Sequence, residues 1–307
     1  MLEDILPLVL SKPISLLNYK SLCEIRLRTN RPITVNYLNT YYFLGQAGLC
    51  NESDAIICTK DLIQTIISKV SNYSIYAIND EIKCGYISVK GGIRIGLTGD
   101  VVSENGKVLT IKNISSLNIR IPHQVNGCAY KVAKLLFDET GNALNTLILG
   151  SPGTGKTTIL RDLCLQIYNQ RKDLNVLLID ERNEISASFE GIPELNVGKS
   201  TDITCGGQKD INITNGIRSM SPDIIILDEI GTEQDVKALE YAVNTGVCIV
   251  ASVHCKNIYE LQKKEELSIL LKNKSFKRFV ELSNSNGKGT IENIYDENYK
   301  SILRFVW

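Results

Sequence analysis

At 307 residues the chain exceeds one average domain, so a two-part layout is expected, and 43% apolar against 22% charged residues excludes a disordered chain. Lys plus Arg equals Asp plus Glu at 34 each, which removes the basic excess that broad nucleic-acid binding needs. Nine cysteines, an odd number with no C-x-x-C pair, exclude a disulfide framework and point to reduced, mostly buried thiols.

The first segment, "MLEDILPLVLSKPIS", carries Glu3 and Asp4 where a signal peptide would be basic. No stretch reaches the ~18 to 20 apolar residues of a membrane helix. A soluble, cytoplasmic protein is expected. "CEIRLR" and "PITVNY" alternate like strands, and "DLIQTIISKV" (61 to 70) has helical spacing. The Gly-rich section from "IKCGYISV" to "GKVLTI" predicts two or three antiparallel strands with a hairpin turn at Asn105-Gly106. "ISSLNIRIP" reads as a further strand stopped by Pro122, and "AYKVAKLLFDE" as a helix. An α+β N-terminal domain, residues 1–128, is expected to end here.

From residue 144 short apolar runs ("LNTLIL", "VLLID", "IIILD", "VCIVASV") alternate with helical segments. That alternation predicts a mainly parallel sheet, buried on both faces, within an α/β domain spanning 129–307. The helix from Glu233 opens with Thr232 and Asp235 in capping-box spacing and stops at Gly246. The end, "RFVELSNSNGKGTIENIYDENYKSILRFVW", alternates around Asn-Gly turns and predicts a terminal hairpin on the sheet edge.

"LGSPGTGKTT" matches G-x-x-x-x-G-K-[ST] at Gly150, Gly155, Lys156 and Thr157, between a predicted strand and a predicted helix. Gly150, Ser151, Pro152, Gly153, Thr154, Gly155 and the following Lys156, Thr157 and Thr158 form a loop and helix start whose backbone N–H groups, Pro152 lacking one, would wrap a phosphate without Cβ interference at the glycines. Lys156 would reach the β- and γ-phosphates of ATP, and the Thr157 hydroxyl would ligate Mg²⁺. "PDIIILDE" supplies the complementary carboxylates: Asp228 for the Mg²⁺ shell and Glu229 to polarise water. An Asp-Glu pair at a strand end is otherwise merely solvated; a phosphate-binding lysine upstream gives it chemistry. "VLLIDERNE" brings Asp180, Glu181 and Glu184 to another strand tip, either for water activation or as an ion pair with Arg182. His254 follows "VCIVASV", where its strand end can face the γ-phosphate. Cys248, His254 and Cys255 lie close, but no second ligand pair completes a tetrahedral zinc site.

"DEIG" (228 to 231) fits the D-x-x-G of GTPases, yet no [NT]-K-x-D follows to specify guanine. "TCGGQ" echoes an ABC-type signature, but only about fifty residues separate Lys156 from Gly206, too few for that class's helical subdomain. Gly206-Gly207 therefore reads as a flexible loop. "VLLIDERNEI", "IRSMSPDIIILDEIGTEQDVKALEYAVNTG" and "IVASVHC" resemble the acidic box, Walker B region and His box of type II and type IV secretion and pilus motors. "EIRLRTNRPITV", "GGIRIGLTGDVV", "IKNISSLNIRIPHQVNGCA", "RSMSPDIIILDEIGT" and "GTIENIYDEN" resemble, more closely, the stage III sporulation protein AA family, a branch of that group, over nearly the whole chain.

The resemblance implies a RecA-like (AAA-like) P-loop ATPase domain behind a smaller α+β domain, working as a homohexamer with ATP and Mg²⁺. It implies Glu184 as the acidic-box carboxylate that orients water, Glu229 as the Walker B glutamate and His254 as γ-phosphate sensor. It also implies phosphate-closing arginines from the N-terminal domain, for which Arg94 and Arg120 are the candidates ahead of Arg26 and Arg28. Gly231 stands where many motors have arginine and Asp228 where many have a small residue, so the roles of Glu184 and Glu229 stay open between them. The implied task is powering a membrane-spanning channel or secretion complex between mother cell and forespore, docked on integral membrane proteins. A nucleic-acid motor or loader, and a nucleotide-gated scaffold with little turnover, are the rival classes; no nucleic-acid partner is expected.

Overall fold

In the computed structural model, residues 2–72, 74 and 78–303 are described, and they divide into two units. One runs to His123 and includes Phe189–Glu194; the other holds Gln124–Ser188 and continues from Leu195.

The first unit opens with α1 (Leu2–Ile5) and α2 (Leu8–Ser15), then an antiparallel run of β1 (Leu22–Arg28), β2 (Thr34–Tyr37), β3 (Thr40–Gly45) and β4 (Gly48–Cys50). Two helices follow, α3 (Lys60–Val70) and α4 (Asn79–Lys83), and then β5 (Tyr86–Val89), β6 (Ile93–Glu104) and β7 (Lys107–Arg120). Helix α3 starts where the Thr59 hydroxyl accepts from Leu62 N at 3.2 Å and buries Leu62, Ile63, Ile66 and Ile67, the stripe its periodicity predicts. The strands form one seven-stranded sheet in the order β4-β3-β2-β1-β7-β6-β5. Asn105 (φ 51°) and Gly106 (φ 75°) make the hairpin turn, both left-handed as a type I′ turn demands. "ISSLNIRIP" is not a separate strand but the continuation of β7, which runs 14 residues. The bulge is in β7: Thr98 faces Ser116 and Asp100 faces Lys112, with Gly99 of β6 so close that a Cβ would come within 2.4 Å of the Lys112 carbonyl.

The second unit places α5 (Tyr130–Leu135), β8 (Thr146–Leu149), α6 (Lys156–Gln170), β9 (Val176–Asp180) and β10 (Thr201–Cys205) in succession. Then come α7 (Lys209–Met220), β11 (Ile224–Glu229), α8 (Glu233–Asn244), β12 (Cys248–Val253), α9 (Ile258–Leu261), α10 (Ser268–Lys272), β13 (Arg278–Ser283) and β14 (Thr290–Asp296). The sheet order is β10-β9-β11-β12-β8-β13-β14, parallel throughout except for β14, which pairs antiparallel with β13 as the terminal hairpin. Residues 304–307 of that predicted hairpin lie outside the described residues. Alternate side chains of the buried strands feed two cores. Leu147, Leu177, Ile225 and Ile249 pack with α8, and Ile148, Leu178, Ile226 and Val250 pack with α6.

Two features depart from the sequence reading. Strand β10, "TDITC", is too polar to announce itself and is a half-exposed edge strand. Helix α5 ends at Leu135 rather than Glu139, because Asp138 accepts the N–H groups of Thr140 and Asn142 in a turn that competes with helix. Just ahead of α5 the chain is anchored at long range. Asp162, only 1% exposed on α6, accepts from Gly127 N at 2.9 Å and Ala129 N at 2.7 Å. Asp162→Ala should cost about 2–4 kcal/mol in urea unfolding, since two N–H groups lose a charged acceptor, one of them fully buried; Asp162→Asn should cost less.

Candidate functional site

Parallel strands point their C-terminal ends one way, and β9, β11, β12 and β8 stand side by side. The tips therefore gather Asp180, Asp228-Glu229, His254 and Gly150 along one sheet edge, the usual ligand position in such sheets.

After the fully buried β8, the chain turns through Gly150–Gly155 into α6. Gly150 admits no Cβ, which would meet Thr154 Oγ1 at 2.3 Å; that hydroxyl donates to the Ser151 carbonyl. Gly153 (φ 79°) and Gly155 (φ 93°) are left-handed, and Pro152 and Gly153 are exposed at the tip. The terminal hairpin braces this loop: Gly289 N donates to the Thr154 carbonyl at 2.8 Å. No side chain caps α6, so its first-turn N–H groups are available to an anion, with Thr157 and Thr158 half-buried beside them.

Lys156 is 6% exposed and its ammonium donates to the carbonyls of Gly150 at 2.7 Å and Ser151 at 3.1 Å, and to His254 Nδ1 at 2.8 Å. Burial pulls the lysine below its ordinary value, and the charges of Glu229 and Asp228 oppose that pull. An ammonium only donates, so His254 Nδ1 must accept and the imidazole proton resides on Nε2. That Nε2 lies 3.0 Å from Glu229 Oε2. A carboxylate–imidazole–ammonium chain thus runs from the tip of β11 to the glycine-rich loop.

The acidic loop after β9 is built around Asp180, which is fully buried and accepts from the N–H groups of Glu184, Ile185 and Ser186 and from the Ser186 hydroxyl. Arg161, on α6, donates to the carbonyls of Glu184 and Ile185 from the other side. The loop is therefore folded as a unit, with the Glu184 and Glu181 side chains exposed. Glu181 pairs with Lys209 at 3.2 Å rather than with Arg182. Asp228 sits at a bulge, where β11 shifts register against β12 between Leu227 and Glu229. Burial pushes its carboxyl up, and the nearby charges of Glu184, Asp180 and Glu229 push it further, with Arg182 opposing. Lys209, at the start of α7, also donates to the Glu229 carbonyl and lies 3.6 Å from Asp235. A cleft of about 330 Å³ opens among Glu181, Arg182, Lys209, Asp228 and Glu229. Neither Lys209 nor Arg161 stands in a recognisable motif; both act on partners that are remote in sequence.

Arg94 and Arg120 belong to the first unit, where they are direct cross-strand neighbours on β6 and β7. Arg94 stacks on Tyr86, its guanidinium carbon 3.6 Å from the ring centroid, and Arg120 lies 4.0 Å from Glu24. Burial works against charge on Glu24, but bonds from Arg26, Tyr41 and Asn118 outweigh it and hold the carboxyl below its ordinary value. On this face Arg26 Nε, Thr34 Oγ1, Asn36 Oδ1 and Asn118 Oδ1 are buried without a partner among the described residues.

Asp228 carries a stability consequence. Its raised pKa means the folded state disfavours the charge. The penalty is absent below the ordinary aspartate range, grows as pH rises toward the raised value and is full above it. Asp228→Asn should therefore raise the Tm of the nucleotide-free protein at pH 7, with the gain fading in acid; a lowered Tm at pH 7 would contradict this.

The fold has counterparts. The pilus retraction motor PilT, solved with bound ADP, superposes with a TM-score of 0.61 at 15% identity, covering 90% of this chain and 78% of that one. The Legionella pneumophila ATPase DotB superposes with a TM-score of 0.55 at 13% identity, covering 89% and 74%. The fold is thus that of the secretion-type P-loop ATPases. Stage III sporulation protein AA of Bacillus subtilis (strain 168) is 37% identical over 284 residues, 92% of this chain and 89% of that protein. With the profile described as Sporulation stage III, protein AA matching residues 4–302 as well, the chain belongs to that family.

Proposed function

We propose that the protein is an ATP-hydrolysing motor, and the observation that carries this is the Glu229–His254–Lys156 chain beside an uncapped helix start. Lys156 is held by three acceptors that triphosphate oxygens can replace. The first-turn N–H groups of α6 add the anion-binding end of a 15-residue helix. Released from Lys156, His254 Nδ1 becomes the atom that responds to the γ-phosphate. Glu229 keeps Oε2 on His254 and has Oε1 without a partner among the described residues, positioned to take a proton from water. Glu184 stands close enough to act on Asp228 electrostatically and is the second carboxylate of the water site.

Thr157 and Asp228 would hold Mg²⁺. They offer hard oxygen donors, and Asp228 lies among carboxylates whose repulsion a divalent cation relieves. No group of three His, Cys, Asp or Glu among the described residues is arranged to chelate a metal alone, which suits a cation completed by nucleotide oxygens. The ion's contribution is to neutralise charge that develops on the phosphates.

In the same reading the working form is a homohexamer, with Arg94 and Arg120 of each subunit closing on the phosphates of a neighbour's nucleotide. The Arg120 side chain, 66% exposed, supports a contact beyond the chain's own residues. Family membership supports a role in endospore formation, powering a membrane-spanning secretion or channel complex from the mother-cell cytoplasm. In this reading the docking partners are integral membrane proteins; no helix among the described residues is itself long and apolar enough to cross a membrane.

Two variants test the site. Lys156→Ala should abolish nucleotide binding and turnover. Glu229→Gln should retain nucleotide binding while turnover falls about 10²-fold or more; Glu184→Gln, measured in parallel, ranks the two carboxylates. Full activity in Lys156→Ala would sink the assignment.

A further inference from the structure

Three oxygen acceptors from separate parts of the second unit meet at one ammonium that no motif announces. Lys209 Nζ donates to the carbonyl of Glu229 and lies 3.2 Å from Glu181 Oε2 and 3.6 Å from Asp235 Oδ1. Its side chain is 10% exposed, so solvent screens these interactions little. An ammonium has three donors, and here each has an oxygen facing it.

The Glu229 carbonyl depends on this lysine. Strand β9 pairs with β11 only as far as Leu227, so Glu229 lies beyond that ladder. On the other side the bulge at Asp228 puts Glu229 opposite Ser252, and Ile230 N donates to the Ser252 carbonyl at 2.8 Å. Lys209 supplies from the open side the donor that β9 does not. The same ammonium neutralises Glu181, keeping that carboxylate on the far side of the cleft. It also faces Asp235, whose other oxygen accepts from Gly231 N and Thr232 N, both at 3.1 Å, to cap α8. The residues on either side of Glu229 are thereby tied to one point.

We infer that Lys209 is a positioning residue for hydrolysis: by anchoring the Glu229 carbonyl to Glu181 and Asp235, it fixes the direction in which the Glu229 side chain meets His254 Nε2. This rests on the ATPase reading above. A purely structural clamp would lower stability without loosening the His254 Nε2–H bond to Glu229 in protein that remains folded.

The test compares wild type, Lys209→Met and Lys209→Arg in the full chain, by steady-state ATPase kinetics, binding of a fluorescent ATP analogue and ¹⁵N NMR of the imidazoles. There are just two histidines, so His254 is readily assigned. Lys209→Met is expected to lose about 10- to 100-fold in kcat, the scale of an oriented general base, with analogue affinity within about twofold. His254 should keep the Nε2–H tautomer that Lys156 sets, but its Nε2–H proton should shift upfield as the bond to Glu229 loosens, and Lys209→Arg should restore most of both. Wild-type kcat together with an unchanged Nε2–H signal in Lys209→Met would overturn the proposal. If the wild type itself shows no turnover, the ATPase reading fails, and the comparison of the Nε2–H shift still decides the role of Lys209. Should Lys209→Met not fold, Lys209→Gln, which keeps one or two donors, is read by the same criteria.

Discussion

A buried ammonium must be given acceptors, and the second unit is arranged around the one at Lys156. It takes two carbonyls of its own loop and one imidazole nitrogen. That third partner is what joins the loop to the rest of the site, because it fixes the His254 tautomer and so turns Nε2–H toward Glu229. Glycines at 150 and 155 keep the loop tight enough for the bonds to form, and the terminal hairpin packs against it at Gly289.

The acidic residues divide by burial rather than by sequence position. Asp180 is spent on folding the loop that carries Glu181 and Glu184, with Arg161 holding that loop's carbonyls. Glu181 is paired with Lys209, and Asp228 is held close to other carboxylates at a cost to the folded state. In the proposed function, a cation that arrives with substrate would relieve this concentrated negative charge, for which stability is conceded locally.

Much of this was legible in the chain. Apolar runs ending in Gly150, Asp180, Asp228 and His254 announced parallel strands and placed their tips, because burial on both faces leaves continuous apolar sequence. The Thr232–Asp235 capping box and the Asn105-Gly106 turn were equally plain, being local chemistry. Strand β10 was not, since an edge strand that is half exposed carries no apolar run. Nor was the early end of α5, where one aspartate's turn overrides helical spacing. Lys209, Arg161 and Asp162 were invisible for a common reason: each binds backbone groups far away in sequence, and backbone groups leave no signature in residue identities. Arg94 and Arg120 were picked out as a pair on strands, and they are neighbours in register; the Tyr86 stack and the Glu24 bond network that accompany them were not foreseen.

The account turns on Lys156 exchanging its own carbonyls and His254 for phosphate. A crystal structure with Mg²⁺ and a non-hydrolysable ATP analogue tests this directly. The account predicts Lys156 Nζ within hydrogen-bonding distance of the phosphates, the 2.8 Å contact to His254 Nδ1 opened, and the Glu229–His254 contact kept. Analogue bound while Lys156 still holds Gly150, Ser151 and His254 would contradict it.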